Sequence, residues 1–301
     1  MANYMTFEEI YQAVMVAIAD SQYSRQTEVE AIVNMVYNEV LHCDELYPLY
    51  WMMEVDDSKL SKVKATISGI TAASPGVITA TAHGFVSGDL VTFYGIVGMT
   101  ELNFRTFVVV KVDANSFSLT DFSATAINTS SYTAWSSGGY AHHRGVSLTD
   151  CEKVLRANWH GYNKGMEFIG DEQLEAQSSW WDVSVSRPLK MMHKQVYAAA
   201  GTQLDYLLWF QAADAAYNLR LWYLRQPARL SGTSDVPMLP PQFHDAIVAG
   251  AITRLGENKV QVEAGVIWPA VYNAQIDSIK TFNRKWWQEN KPFERSAHFL
   301  I

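Results

Sequence analysis

The densest run of acidic and aromatic side chains is Asp171, Glu172 and Glu175 ahead of Trp180 and Trp181, paired carboxylates beside a flat platform, as glycosidic-bond cleavage needs. A plainer reading competes, because acidic residues in the first turn of a helix complement its dipole. His142-His143 and His42-Cys43-Asp44 are metal-ligand types, but adjacent side chains point apart on a strand or helix, so incidental histidines are expected. Cys43 and Cys151 have no neighbours at disulfide or zinc spacing and read as simple buried thiols. Phosphate-binding glycine loops, the G-x-S-x-G elbow and H-E-x-x-H are missing from the sequence. The expectation is a protein that is not an enzyme and takes no cofactor or metal.

Binding is the better-supported chemistry. Trp180-Trp181, Trp209, Trp222 and Trp286-Trp287 suit sugar or base stacking, yet tryptophan also fills cores and subunit interfaces, and core or interface is the expectation. After Trp286-Trp287 helical periodicity is lost and Pro292 bars its continuation, but Phe293, Phe299, Leu300 and Ile301 remain apolar. Such a tail calls for a partner. The candidate partner-binding residues are therefore Trp286, Trp287, Lys291, Phe293, Arg295, Phe299, Leu300 and Ile301, with Lys291 and Arg295 at a rim where charge steers encounter.

Charge narrows the partner. Residues 1–62 hold 11 acidic side chains against Arg25, Lys59 and Lys62, a net −8 that equals the whole chain's, and the remainder balances 20 acidic against 20 basic. No basic stripe exists to neutralise phosphates, so specific nucleic-acid binding is not expected; an acidic wall suits a passage through which DNA slides. Among 301 residues, 49% of them hydrophobic, no apolar run approaches the ~18 of a membrane span, and the first 21 lack a signal-peptide pattern, so the chain is expected to stay in the cytoplasm where it is made.

These residues need elements to position them. Thr6 with Glu9 and Thr27 with Glu30 have capping-box spacing and predict two helices, the second striped by Val29, Ile32, Val33, Val36 and Val40 and ending near Cys43. From 63 to 142 only four acidic and three basic residues occur, and short runs at 77–80, 90–94, 106–112 and 117–119 alternate with turn residues, predicting a small barrel or sandwich. Thr149-Asp150-Cys151-Glu152 repeats the capping spacing and predicts a helix, and another is expected near Asp171. Runs at 203–210 and 217–225 read as an antiparallel hairpin. Phe243, Ile247, Ala251, Ile252 and Leu255 stripe a further helix, in which Gly250 permits close approach, and a last helix is expected from about Pro269 to Gln288. The fold expectation is α+β: a helical-bundle body (1–62 plus 143–301) with a β-hairpin near 203–226 and an inserted small all-β domain at 63–142.

Two stretches carry resemblances. The run 210–227, containing Asp214-Ala215-Ala216-Tyr217-Asn218-Leu219-Arg220-Leu221-Trp222-Tyr223, and the following Leu239-Pro240-Pro241-Gln242-Phe243-His244-Asp245-Ala246 resemble the hairpin-and-helix region of head-to-tail adaptor (connector) proteins of tailed bacteriophages; similar proteins often have Pro where Ala212 stands. The stretch 70–85, with Ser74-Pro75-Gly76-Val77-Ile78-Thr79 and Ala82-His83-Gly84-Phe85, continues to Asp113-Ala114-Asn115-Ser116-Phe117 and resembles the β module named after the first catalytic cysteine half-domain of ubiquitin-activating enzyme. The resemblance implies a structural virion protein that binds the portal as a dodecameric ring, extends the DNA channel and gives a downstream tail protein its platform. A receptor- or carbohydrate-binding tail component is the alternative, and a peptidoglycan-cleaving virion enzyme a third.

Overall fold

The computed structural model describes residues 4–18, 26–162, 165–170, 185–199, 201–258 and 264–290. The chain divides into two compact units, Met1–Glu54 with Arg225–Ile301, and Val55–Leu224.

The first unit is helical: α1 (Phe7–Ala17), α2 (Gln26–Leu41), α3 (His244–Asn258) and α4 (Ala264–Asn290). Thr6 caps α1 as its spacing predicts, its hydroxyl accepting the Glu9 amide at 3.3 Å while the Glu9 carboxylate accepts the Thr6 amide at 2.7 Å. Thr27 is no cap, because α2 has already begun at Gln26. The core element is α3, which touches α1, α2 and α4 and buries Ala246, Ile247, Ala249, Ala251, Ile252 and Leu255. His244 ties its start down: Nδ1 accepts the Met5 amide at 3.0 Å and Nε2 donates to the Leu239 carbonyl at 3.0 Å. Helix α4 starts at Ala264, so Pro269 lies inside it rather than at the first turn expected.

Gly250 lets α3 sit this close. A Cβ there would meet Val36 Cγ1 at 2.4 Å and Tyr272 Cε2 at 2.8 Å. Gly250→Ala gains up to about 1 kcal/mol of helix propensity but overpacks by about 1–3 kcal/mol, so a net lower urea midpoint is expected. Equal or higher stability in urea titration would show that Val36 and Tyr272 yield freely.

The second unit overturns the helical-bundle expectation for the body. Among the described residues thirteen strands stand against four helices: β1 (Met53–Asp56), β2 (Ala65–Thr66), β3 (Gly69–Ile70), β4 (Val77–Thr79), β5 (Asp89–Tyr94), β6 (Thr106–Lys111), β7 (Ser116–Thr120), β8 (Tyr140–Leu148), β9 (Cys151–Trp159), β10 (Glu167–Phe168), β11 (Lys190–Tyr197), β12 (Gln203–Trp209) and β13 (Leu219–Arg225). One sheet runs β10-β11-β12-β8-β5-β6-β7-β4-β3, with β2 pairing β8 off that path; the other runs β1-β13-β9. The expected strands at 77–80, 90–94, 106–112 and 117–119 are present as β4 to β7, around a core of Phe85, Val91, Phe93, Phe107, Val109, Phe117 and Leu119.

Two local readings fail for a shared reason. Thr149-Asp150-Cys151-Glu152 starts no helix: Asp150 takes φ 52 in a tight turn, and β9 follows directly. A capping box is a spacing, and a turn into a strand satisfies it equally well until long-range pairing decides. The runs at 203–210 and 217–225 are indeed strands, but β12 pairs with β11 and β8, while β13 lies between β1 and β9. They are no hairpin. Leu207 and Trp209 from one sheet and Leu219 and Leu221 from the other meet in a common core with Val146, Trp159 and Met191, so burial across two layers displaces edge-to-edge pairing.

Strand β8 carries a bulge. Leu90 pairs with Gly145 but Val91 with His143, which leaves Arg144 as the extra residue. Its guanidinium is buried, donating to the Phe210 carbonyl and, at 2.6 Å, to the Tyr94 hydroxyl.

Candidate partner interface and a buried charge site

The end of α4 holds Trp286 and Trp287, two of the eight expected partner residues. The turn Tyr50–Met52 lays Tyr50 flat on Trp286, ring centroids 4.4 Å apart at 8°. Trp287 stands edge-on to Trp286 at 5.6 Å and donates its indole N–H to the Pro48 carbonyl at 2.8 Å. Tyr47 lies 6.0 Å from Trp287, and Phe282 lies 6.2 Å from Tyr50. Buried Asn283 fixes the turn beneath them, accepting the Tyr50 amide at 3.1 Å and donating to the Tyr47 carbonyl at 3.0 Å. Beside it Arg284 grips Asp44 with two N–H groups at 3.0 and 3.2 Å. Burial pushes the Asp44 carboxyl up, but the guanidinium and the Leu46 and Tyr47 amides outweigh it and hold the group below its ordinary value.

The cluster is packed on itself and remains partly exposed. Tyr47 and Phe282 remain 39% and 40% exposed, while Trp286 and Trp287 are half-buried. Both tryptophans therefore serve the fold through Tyr50 and the Pro48 carbonyl while keeping part of their surface exposed. Lys291, Phe293, Arg295, Phe299, Leu300 and Ile301 lie outside the described residues, as do Asp171, Glu172, Glu175, Trp180 and Trp181.

Sequence reasoning passed over a second arrangement. His143, read as incidental, is fully buried with its Nε2 facing Asp89 Oδ1 across 3.3 Å, and the Lys62 ammonium touches the other carboxylate oxygen. Asp89 also accepts the Val86 amide at 2.8 Å, and His143 Nδ1 accepts the Lys62 amide at 3.0 Å. Burial pushes Asp89 up, yet His143, Lys62 and the Val86 amide together hold it below the usual carboxylate range. Ser61 extends the fastening, donating its hydroxyl to the Ala215 carbonyl and accepting the Tyr217 amide, each at 2.9 Å. These contacts fasten a crossing of the chain. The one hint in the sequence was Asp89 itself, one of four acidic residues in 63–142.

The cysteines are free, and burial pushes the Cys43 thiol up to about 11 and the Cys151 thiol up to about 12, far from nucleophilic thiolate. Among the described residues no three His, Cys, Asp or Glu side chains converge as a metal site, and no helix is long and apolar enough to cross a membrane.

Residues 73–144, about a quarter of the chain, match the family model of the ubiquitin-activating enzyme E1 FCCH domain. The β module picked out by its low charge is thus similar to that domain. The matched stretch contains no cysteine, so the likeness brings no thioester chemistry with it. No curated protein matches the chain.

Proposed function

We propose that this chain is a structural virion subunit, a head-to-tail adaptor that forms a ring beneath the portal of a tailed bacteriophage, extends the DNA channel and carries a downstream tail protein. The observation that carries the reading is the partly exposed aromatic cluster of Tyr47, Tyr50, Phe282, Trp286 and Trp287, followed in sequence by the apolar residues Phe293, Phe299, Leu300 and Ile301. Each large apolar side chain fully buried at an interface contributes about 1.5–3 kcal/mol, so a few such anchors offset the ordering of about a dozen residues. The acidic balance of residues 1–62 favours a lumen that does not hold DNA.

The test is truncation after Asn290, the last residue of α4. Co-sedimentation with the portal should collapse while the melting temperature of the free subunit changes little. Retained binding with a melting temperature lower by many degrees would make the tail intramolecular packing and sink the adaptor reading of this surface. Negative-stain images of the full chain mixed with portal should show rings; a monomer without affinity for the portal contradicts the proposal as a whole.

A further inference from the structure

Strand β8 carries two adjacent histidines, one on each face, and both bear on the same short segment, 62–66. On one face His143 accepts the Lys62 amide at Nδ1, which requires that nitrogen to be unprotonated, while Asp89, the Lys62 ammonium and the rings of Phe85 and Trp209 surround the imidazole. On the other face His142 is 1% exposed and neither ring nitrogen has a hydrogen-bond partner. Its ring lies edge-on to Tyr94 at 4.9 Å and to Tyr140 at 6.4 Å. The charges acting on it are the Arg144 guanidinium from its own strand and the Lys64 ammonium, which lies over the Tyr140 ring at 4.2 Å. Thr92 of β5 stands opposite, and no carboxylate acts on it.

Acid therefore acts twice at one place. A proton on His143 Nδ1 sets N–H against the Lys62 N–H and removes an acceptor; a proton on His142 adds a third cation beside Arg144 and Lys64. The backbone attachment at stake is short, Ala65 with Ala141, Thr66 with Tyr140, and the Ile67 amide on the Gly139 carbonyl at 3.0 Å, and beside it stands the Lys62–Asp89 ion pair, which release must also break.

We propose that residues 62–66 are an acid-released strap, freed from β8 by proton uptake on His142 and His143 while the pairing of β8 with β5 and β12 persists. Both imidazoles are held below the ordinary 6.5, His142 at about 4 by burial and then by Arg144 and Lys64, His143 by burial against the pull of Asp89. The strapped form thus resists protons that the released form, with water admitted beside both rings, takes up more readily. Strap stability is complete at neutral pH and falls on acidification below about 6.5, with His142 contributing down to about 4; each histidine raises the opening constant by up to about tenfold per pH unit between its released and strapped values.

Amide hydrogen exchange of the full chain from pH 7.5 to 4.5, corrected for intrinsic rates, tests this. The Lys62 and Ile67 amides should lose protection at least about tenfold per pH unit beyond any loss at the Gly88 and Ile127 amides, which bond to Val109 and Leu119 elsewhere in the module. In His142→Gln the slope should fall by the share of one proton. Should that variant not fold, the wild-type His142 Cε1–H titration serves, with a midpoint well below 6.5 expected. Equal loss at all four amides, a strap indifferent to pH, an unchanged slope in His142→Gln or a midpoint at 6.5 each overturns the proposal.

Discussion

Asp89→Ala is expected to be the most damaging single substitution in the second unit, lowering the free energy of unfolding by about 3–5 kcal/mol at pH 7, the usual cost of removing one partner from a buried ion pair. It strands the Lys62 ammonium, the His143 Nε2–H and the Val86 amide together. That is a large part of the about 5–15 kcal/mol a domain possesses. Lys62→Met in the Asp89→Ala background should recover part of the loss, because the stranded charge then disappears. Since the Asp89 carboxyl titrates below its ordinary value, protonation of Asp89 itself leaves this contribution whole at neutral pH and removes it as pH falls from the ordinary carboxylate value through the lowered one. Urea unfolding of the wild type, both single variants and the double variant supplies the full cycle. A loss under about 1 kcal/mol for Asp89→Ala would show that the three groups are not coupled.

Gly145→Ala is the second large effect expected. A Cβ at Gly145 would lie 2.3 Å from the Leu207 carbonyl oxygen, 2.7 Å from Leu90 Cδ1 and 3.1 Å from Leu208 Cα. Two of those atoms belong to the backbone of β12, which cannot step aside without breaking its register with β8, Leu207 on Val146 and Leu208 on Gly145. Ordinary overpacking costs about 1–3 kcal/mol, and a backbone clash lies at or beyond the top of that range. Gly170→Ala is the matched control, as no atom lies within 4 Å of its added Cβ. Thermal melts should separate the two variants by many degrees; coincident melts would mean that β8 and β12 slide apart without cost.

What was legible in the chain is what its physics makes local. The Thr6–Glu9 cap, the stripe of α3, the tight site at Gly250 and the short strands β4 to β7 each follow from residues within a turn or two of one another. Strand partners do not. Thr149-Asp150-Cys151-Glu152 has the letters of a helix start, and only the burial of Cys151, Val154, Ala157 and Trp159 in a shared core makes it a strand. Between them 203–210 and 217–225 look like a hairpin for the same reason, since the sequence displays two apolar runs and hides the second layer that separates them. The charge site escaped notice because Lys62, Asp89 and His143 stand at three distant positions with no motif between them, joined by the pairing of β5 with β8. Trp286 and Trp287 stand out in the sequence because two large aromatics adjoin, although nothing local announced that Tyr50 would stack on one of them.

Strand β8 also bears on where such a module can be cut from one chain and joined to another. The family match ends at residue 144, inside a strand that pairs with β5 from Tyr140 to Val146 and with β12 from Gly145 to Leu148. A recombination crossover at that point would join half a strand from each parent and place the Arg144 bulge and the Gly145 contact at the seam. The two parents would then have to agree on bulge position, on glycine and on the histidine pair just upstream. A cassette carried through Leu148 still has to present β12 with a matching partner strand. A graft of this module that is to keep its pairing therefore has to carry more than the matched residues, retaining 140–148 together with the segment 203–209 that pairs with it.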